Sequence, residues 1–253
     1  FLPSGRVHGF EALIRWQRPG HGLVMPDDFI PAAEQSRRIN DIGRWTLQEA
    51  LGQLARWHAE TGNTAVTVGV NISGRHLASP ELLHDVRAAL AAAGVAPSLL
   101  VVEITETVIV TDPIAMMNLT GLREMGVRVA LDDFGTGFTS IRQLRHLPVD
   151  CIKIDRSFIV STDPAERKLV QLMTSAALAF GLVVIAEGIE EPCQLATPIE
   201  CGVIGAQGYY FARPVPAAQA RELIRAGVLP LQRPSRVARY TQEWRDISRH
   251  SVP

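Results

Sequence analysis

A chain of 253 residues, 47% of them hydrophobic and 20% charged, can bury a large core, and its length suits a single α/β barrel. Its 25 basic and 26 acidic side chains leave a formal charge of -1, which excludes the global basic field that holding a long nucleic acid requires. The three cysteines, Cys151, Cys193 and Cys201, are an odd number without CxxC spacing, so they support neither a cysteine zinc site nor a disulfide framework, and a reducing, cytoplasmic setting is expected.

Residues 1–5 carry neither a basic stretch nor a long apolar run, so no signal peptide is visible and the chain reads as entered in mid-domain. From there, short apolar strands alternate with longer helical patterns, the signature of repeated β-α units. Strands are expected over 7–14, 65–72, 99–104, 127–132, 149–154, 182–186 and 203–206. Helices are expected over 27–39, 40–60, 80–93, 112–125, 164–180, 191–199 and 216–226. Seven strands are one short of a closed eight-stranded barrel, and the missing one is expected ahead of Phe1.

The uncharged stretch 169–186 is long enough to raise the question of a membrane span. It contains Gln171, Thr174 and Ser175, however, and Gly181 stands where a helix ends before the β-branched run Val183-Val184-Ile185. It therefore reads as helix, cap and buried strand, and no membrane segment is expected. After Leu229 the segment turns polar and arginine-rich, which divides the chain into a barrel over 1–229 and a solvated tail over 230–253.

Alternation along each strand shows which residues look into the barrel, because side chains at i and i+2 share a face. Val66, Val68 and Val70 oppose Thr67, Gly69 and Asn71, while Val127, Val129 and Leu131 oppose Arg128, Ala130 and Asp132. Lys153 shares a face with Asp155, and Glu11, Leu13 and Arg15 line up if the first strand stays extended. Six polar residues, Glu11, Asn71, Glu103, Asp132, Lys153 and Glu187, thus stand where apolar strands run out, the place where barrel enzymes collect catalytic groups.

Carboxylates gathered in one buried mouth repel one another unless a cation compensates them. Glu11, Glu103, Asp132, Asp133 and Glu187, with the amide oxygen of Asn71, make an all-oxygen set without His or Cys, suited to Mg²⁺ or Mn²⁺ rather than zinc. Adjacent acids point oppositely within a strand, but Gly135 and Gly137 follow, so the chain is expected to leave the sheet and let Asp133 turn inward beside Asp132. Lys153 is an ammonium inside this acidic mouth, able to hold a water nucleophile or neutralise a transferring phosphate. Arg15 is a candidate phosphate clamp. The seven histidines fall outside this pattern and read as surface or packing residues.

The segment Glu11-Ala12-Leu13, continued as Ile14-Arg15-Trp16, resembles the signature of EAL domains, bacterial phosphodiesterases that open cyclic di-GMP to linear pGpG. Further motifs of that family follow in order: Asn71-Ile72-Ser73, Glu103-Ile104-Thr105-Glu106, Asp132 through Ser140, Lys153-Ile154-Asp155-Arg156-Ser157-Phe158, Ala186-Glu187-Gly188-Ile189-Glu190, and Gln207-Gly208-Tyr209 leading to Arg213-Pro214. The resemblance covers about residues 5 to 226. It implies a TIM-like (β/α)8 barrel with one antiparallel strand, whose first strand precedes the EAL strand.

Carried over residue by residue, the resemblance makes Glu11, Asn71, Glu103 and Asp132 ligands of a first metal, and Asp132, Asp133 and Glu187 ligands of a second. Lys153 resembles the residue that orients the attacking water. Glu106 resembles the acid that holds the loop from Asp133 to Ser140. Substrate contacts are implied for Leu13, Arg15, Asp155, Glu190, Gln207 and Pro214. A homodimer and an upstream sensor or GGDEF domain, in a parent protein that can be membrane-anchored, are implied as well. Phe138 and Thr139 stand where Tyr and Ser are frequent, and Ile204 where Asp is usual, a change expected only to tune the last strand or loop. The rival expectation is a noncatalytic cyclic di-GMP receptor, since such members lose the EAL glutamate, a metal acid or the loop glutamate, all present here.

Overall fold

A computed structural model describes residues 1–229 apart from residues 3, 37, 107–111, 138–139 and 162. Its centre is a curled sheet of seven strands: β1 (Gly9–Ala12), β4 (Thr67–Asn71), β5 (Leu100–Thr105), β6 (Arg128–Phe134), β7 (Cys151–Ile154), β8 (Val183–Ala186) and β9 (Gly205–Ala206), paired in that order. All six ladders are parallel, so the carboxyl ends of the strands lie on one rim. The seven strands are those expected from the sequence, and the fold is the α/β half-barrel of a TIM-like architecture.

Alternation explains why the sheet holds. Val66, Val68 and Val70 are buried against the helices, as are Val102, Val129, Leu131, Ile152, Ile154 and Val184 from the neighbouring strands. Each such side chain contributes about 1.5–3 kcal/mol on leaving water. The opposite face carries small or polar residues, among them Thr67, Gly69 and Ala130, which leaves room inside the curl.

The helical layer follows the expected pattern: α1 (Pro26–Glu34), α2 (Arg38–Thr61), α4 (Leu82–Ala93), α5 (Pro113–Glu124), α8 (Pro164–Ala179), α9 (Ala196–Glu200) after a single 3₁₀ turn, and α10 (Ala217–Ala226). The uncharged stretch resolves as anticipated: α8 ends at Ala179, Gly181 takes φ 75°, and β8 begins at Val183. Among the described residues no helix is long and apolar enough to cross a membrane.

Four short features are not legible in the sequence. One is the antiparallel hairpin of β2 (Trp16–Arg18) and β3 (Gly22–Val24), three residues a side and without a buried face. The others are single-turn helices held by caps rather than by periodicity. Ser73 Oγ accepts from His76 N ahead of α3 (Gly74–Leu77), Ser140 and Gln143 form a capping box at α6 (Ile141–Leu144), and Asp155 caps α7 (Arg156–Val160).

Between β9 and β1 the edge is crossed by Leu2, residues 5–7 and residues 227–229 rather than by a ladder. Leu2 N donates to Ile204 O at 2.9 Å, Val7 N to Gly227 O at 3.0 Å and Leu229 N to Gly5 O at 2.8 Å, with an isolated antiparallel bridge joining Arg6 and Val228. Ile204 thus has its carbonyl on this seam. The tail expected over 230–253, and the departures at 138 and 139, lie outside the described residues.

Candidate active site

The rim gathers the six strand-end residues into one hydrogen-bonded ring. Lys153, at the last inward position of β7, is 1% exposed, and its Nζ stands 2.6 Å from Glu187 Oε1, 2.8 Å from Glu103 Oε2, 3.1 Å from Asp132 Oδ1 and 3.8 Å from Glu11 Oε2. Asn71 Nδ2 donates to Glu11 Oε1 at 2.6 Å. Gln207 Nε2, just after β9, donates to both Glu11 Oε2 at 3.0 Å and Glu187 Oε1 at 2.7 Å, and so joins the ends of β1 and β8 across the seam between β9 and β1. Residues 196 positions apart in the chain are thereby joined.

The second acid of the Asp132-Asp133 pair turns inward by a different route from the one expected. The strand does not end at Asp132. β6 continues to Phe134 through an irregularity in its register with β7, and Asp133 takes φ 54°, a left-handed conformation that Asp tolerates better than most residues. The bulge breaks the alternation, so Asp132 and Asp133 both offer carboxylate oxygens to one place. Glycines supply clearance. A Cβ on Gly69 would lie 2.2 Å from Glu103 Oε1, so β4 has no side chain where the Glu103 carboxylate sits.

Electrostatics follow from burying four carboxylates around one ammonium. Burial lowers the affinity of Lys153 for its proton, but Glu103, Glu11, Glu187 and Asp132 more than offset this, so its pKa is raised and it stays cationic. Burial pushes Glu103 up to about 8 and Glu187 up to about 7, against the pull of Lys153 and with the repulsion of neighbouring acids added. Asp133 is also raised, first by burial and then by Asp132. The cluster carries more negative charge than the lysine neutralises. Two overlapping groups, Glu11 with Glu103 and Asp132, and Asp132 with Asp133 and Glu187, each bring carboxylate oxygens within 4.8 Å of one another. Hard oxygen donors in excess of their internal cation fit a divalent ion of the Mg²⁺ or Mn²⁺ type.

The remaining expected residues lie around this ring. Buried Glu106 accepts from Gly135 N at 2.8 Å, so it holds the chain directly after Asp133. Asp155 Oδ1 accepts from Ser157 N at 2.9 Å as the cap of α7, and Glu190 forms a bidentate pair with Arg156 at 2.8 and 2.9 Å. Arg156 is not among the residues that the sequence pattern singles out. Its signal is its placement three residues after Lys153, opposite a glutamate three residues after Glu187. Leu13, Arg15, Gln207 and Pro214 line a cleft of about 1130 Å³ together with Glu11, Glu103, Lys153 and Glu187. Because β1 stops at Ala12, strand alternation is not what brings Leu13 and Arg15 to this cleft. They reach it from the connection to the β2–β3 hairpin, with Arg15 Nη1 donating to Ile14 O at 2.7 Å.

A half-barrel rim with these acids and this lysine defines an α/β barrel whose mouth could hold a divalent ion, and comparison with known proteins narrows the class. The EAL domain model matches residues 2–214, and the chain belongs to the EAL domain family. It is 40% identical over 237 residues to the oxygen sensor protein DosP of Escherichia coli, a match covering 92% of this chain and 29% of DosP. It is 40% identical over 232 residues to the cyclic di-GMP phosphodiesterase NbdA of Pseudomonas aeruginosa, covering 89% of this chain and 29% of NbdA. The chain therefore spans under a third of these two curated relatives. Among solved structures, the PaMucR phosphodiesterase in complex with c-di-GMP superposes with a TM-score of 0.78 at 36% identity, covering 83% of this chain and 86% of that one.

Proposed function

We propose that the chain is a metal-dependent phosphodiesterase that hydrolyses cyclic di-GMP to linear pGpG. The observation that carries this reading is the convergence of Glu11, Glu103, Asp132 and Glu187 on Lys153 at the rim of an EAL barrel. Similarity to NbdA and to PaMucR supports the choice of substrate.

Glu11, Asn71, Glu103 and Asp132 would hold one divalent ion, and Asp132, Asp133 and Glu187 a second. The ions, when bound, supply Lewis acidity toward the phosphodiester and its charge. Lys153, held between Glu103 and Glu187, stays protonated and would orient the attacking water by donating to its oxygen, releasing one of its three carboxylate contacts to do so. Gln207 fixes the orientation of Glu11 and Glu187 across the seam, so that both carboxylates face the same reacting group. Glu106 keeps Gly135, and with it Asp133, in place. Arg15 donates to phosphate oxygens of the bound dinucleotide, while Leu13, Glu190 and Pro214 flank it in the cleft, with Asp155 beside them at the cap of α7. A homodimer, and control by a sensor or GGDEF domain in a longer parent, belong to the same proposal, as does the division into a barrel over 1–229 and a tail.

Purified protein with Mn²⁺ or Mg²⁺ and cyclic di-GMP is expected to release pGpG, resolved by chromatography of a time course. Tight binding of the dinucleotide with no turnover in either metal, in dimeric protein, would establish the receptor instead. Faster cleavage of generic phosphodiesters than of cyclic di-GMP would move the substrate class.

A further inference from the structure

We propose that Lys153 is a built-in counter-ion that sets the affinity of the rim for divalent cations and stabilises the acid cluster when no cation is bound. The inference rests on the reading of those acids as metal ligands, but it assigns Lys153 a role separate from handling water.

The geometry makes the ammonium and a divalent ion competitors for the same groups. Lys153 Nζ contacts one oxygen on each of Glu187, Glu103 and Asp132, at 2.6, 2.8 and 3.1 Å, and lies 3.8 Å from Glu11. Those four residues supply all but one of the carboxylates in the two groups able to hold an ion, the exception being Asp133. An ion entering either group therefore shares carboxylates with a fixed positive charge and is repelled by it. Like charges held around the same few carboxylates repel, so the lysine cannot be a neutral bystander. Burial places the ammonium in this contact: Lys153 is 1% exposed and stands at the last inward position of β7, among the carboxylates rather than in solvent.

Two opposed consequences follow for Lys153→Met. Without cation, the carboxylates face one another unbalanced, and the fold weakens. With cation, the ion has sole use of their charge and binds more tightly. A lysine that only orients water would, on removal, reduce turnover and leave both properties near wild type.

The test compares wild-type and Lys153→Met protein by thermal melting in EDTA and across a Mn²⁺ titration, with calorimetric Mn²⁺ binding at the same pH. The expected result is a lower Tm in EDTA, a larger Mn²⁺-induced rise in Tm than wild type shows, and a Mn²⁺ Kd smaller by about tenfold or more. An unchanged or larger Kd, or a chelated variant as stable as wild type, overturns the proposal. If Lys153→Met does not fold even in Mn²⁺, the double variant Lys153→Met/Asp132→Asn carries the test, since it removes one of the opposed carboxylates along with the ammonium. Recovery of its chelated stability supports the proposal, and failure to recover overturns it. Wild-type protein that binds no Mn²⁺ at all would instead sink the metal-ligand reading on which the proposal stands.

Discussion

Two clusters of ionisable groups in this molecule, each built around buried side chains, differ in charge balance. On the outer layer, Asp85 of α4 accepts from Arg44 Nε of α2 at 2.9 Å and pairs with His76 Nε2 of α3 at 3.1 Å, with His76 fully buried and Asp85 5% exposed. Burial pushes the Asp85 pKa up, but hydrogen bonds from Arg44 and His76 more than offset that and hold it below the usual carboxylate range. At the rim the balance fails. Four carboxylates share one lysine, and Glu103 and Glu187 are driven up to about 8 and about 7. Both clusters are costly to bury, and only the first balances its own charge. A node balanced in charge ties three helices together, whereas one left short of positive charge at a strand-end rim is fit for a ligand.

The difference is broken most severely by removing an acid from the rim. Glu11→Ala is expected to lower kcat/KM for cyclic di-GMP by about 10³-fold or more. Its melting temperature without added metal should be unchanged or raised, because the loss of one of several repelling carboxylates relieves the cluster. Activity near wild type would remove Glu11 from the machinery. The matching change at the outer node should do the reverse. Asp85→Ala strands the buried His76 and strips Arg44 of a partner, at a cost of about 3 kcal/mol in urea unfolding, with activity per folded molecule preserved. A stability loss at Glu11 together with an activity loss at Asp85 would overturn the division.

A smaller change sharpens the same contrast without touching any charge. Gly69→Ala puts a methyl group where Glu103 Oε1 now lies, so the carboxylate must shift by about an ångström. Misplacement on that scale costs about a hundredfold in kcat/KM, against a modest change in stability. Mn²⁺ affinity should fall in parallel, and an unaltered affinity would mean that Glu103 has room the geometry does not suggest.

Most of the rim is legible in the amino-acid sequence because a strand has a period of two, so an acid at the end of a valine run declares its face. Asn71, Glu103, Asp132, Lys153 and Glu187 all stand at such strand ends, and the curl of the sheet brings them together. What local periodicity does not encode stays hidden. The bulge that turns Asp133 inward depends on the register between β6 and β7, and the reach of Gln207 to Glu11 depends on closure of the curl. The hairpin β2–β3 buries no face, and helices of one turn cannot show a 3.6-residue pattern. His76 is a packing residue, as its place outside the strand-end pattern suggests, but its partner Asp85 lies 9 positions away on α4, and Arg44, which completes the node through Asp85, lies on α2; no motif announces them.

That histidine supplies the mildest test. Burial lowers the His76 pKa from its ordinary value near 6.5, against the opposing pull of Asp85. The hydrogen bond to Asp85 gives the proton to Nε2, and Nδ1 is buried without a hydrogen-bond partner, in a space that a Cβ on Gly43 would fill at 2.3 Å. A second proton therefore has no acceptor to meet. The unfolded chain, with a histidine pKa of about 6.5, binds that proton more readily than the folded one, so this contribution to stability is complete above about pH 6.5. It declines as the pH falls below that value, with a slope of at most about 1.4 kcal/mol per pH unit, until the folded-state pKa is reached. His76→Gln cannot titrate, and its unfolding free energy should lack this slope while starting from a lower value at pH 7. Parallel pH profiles for the two proteins would show that His76 is free to protonate in place, and the outer node would then be no more closed to charge than the rim.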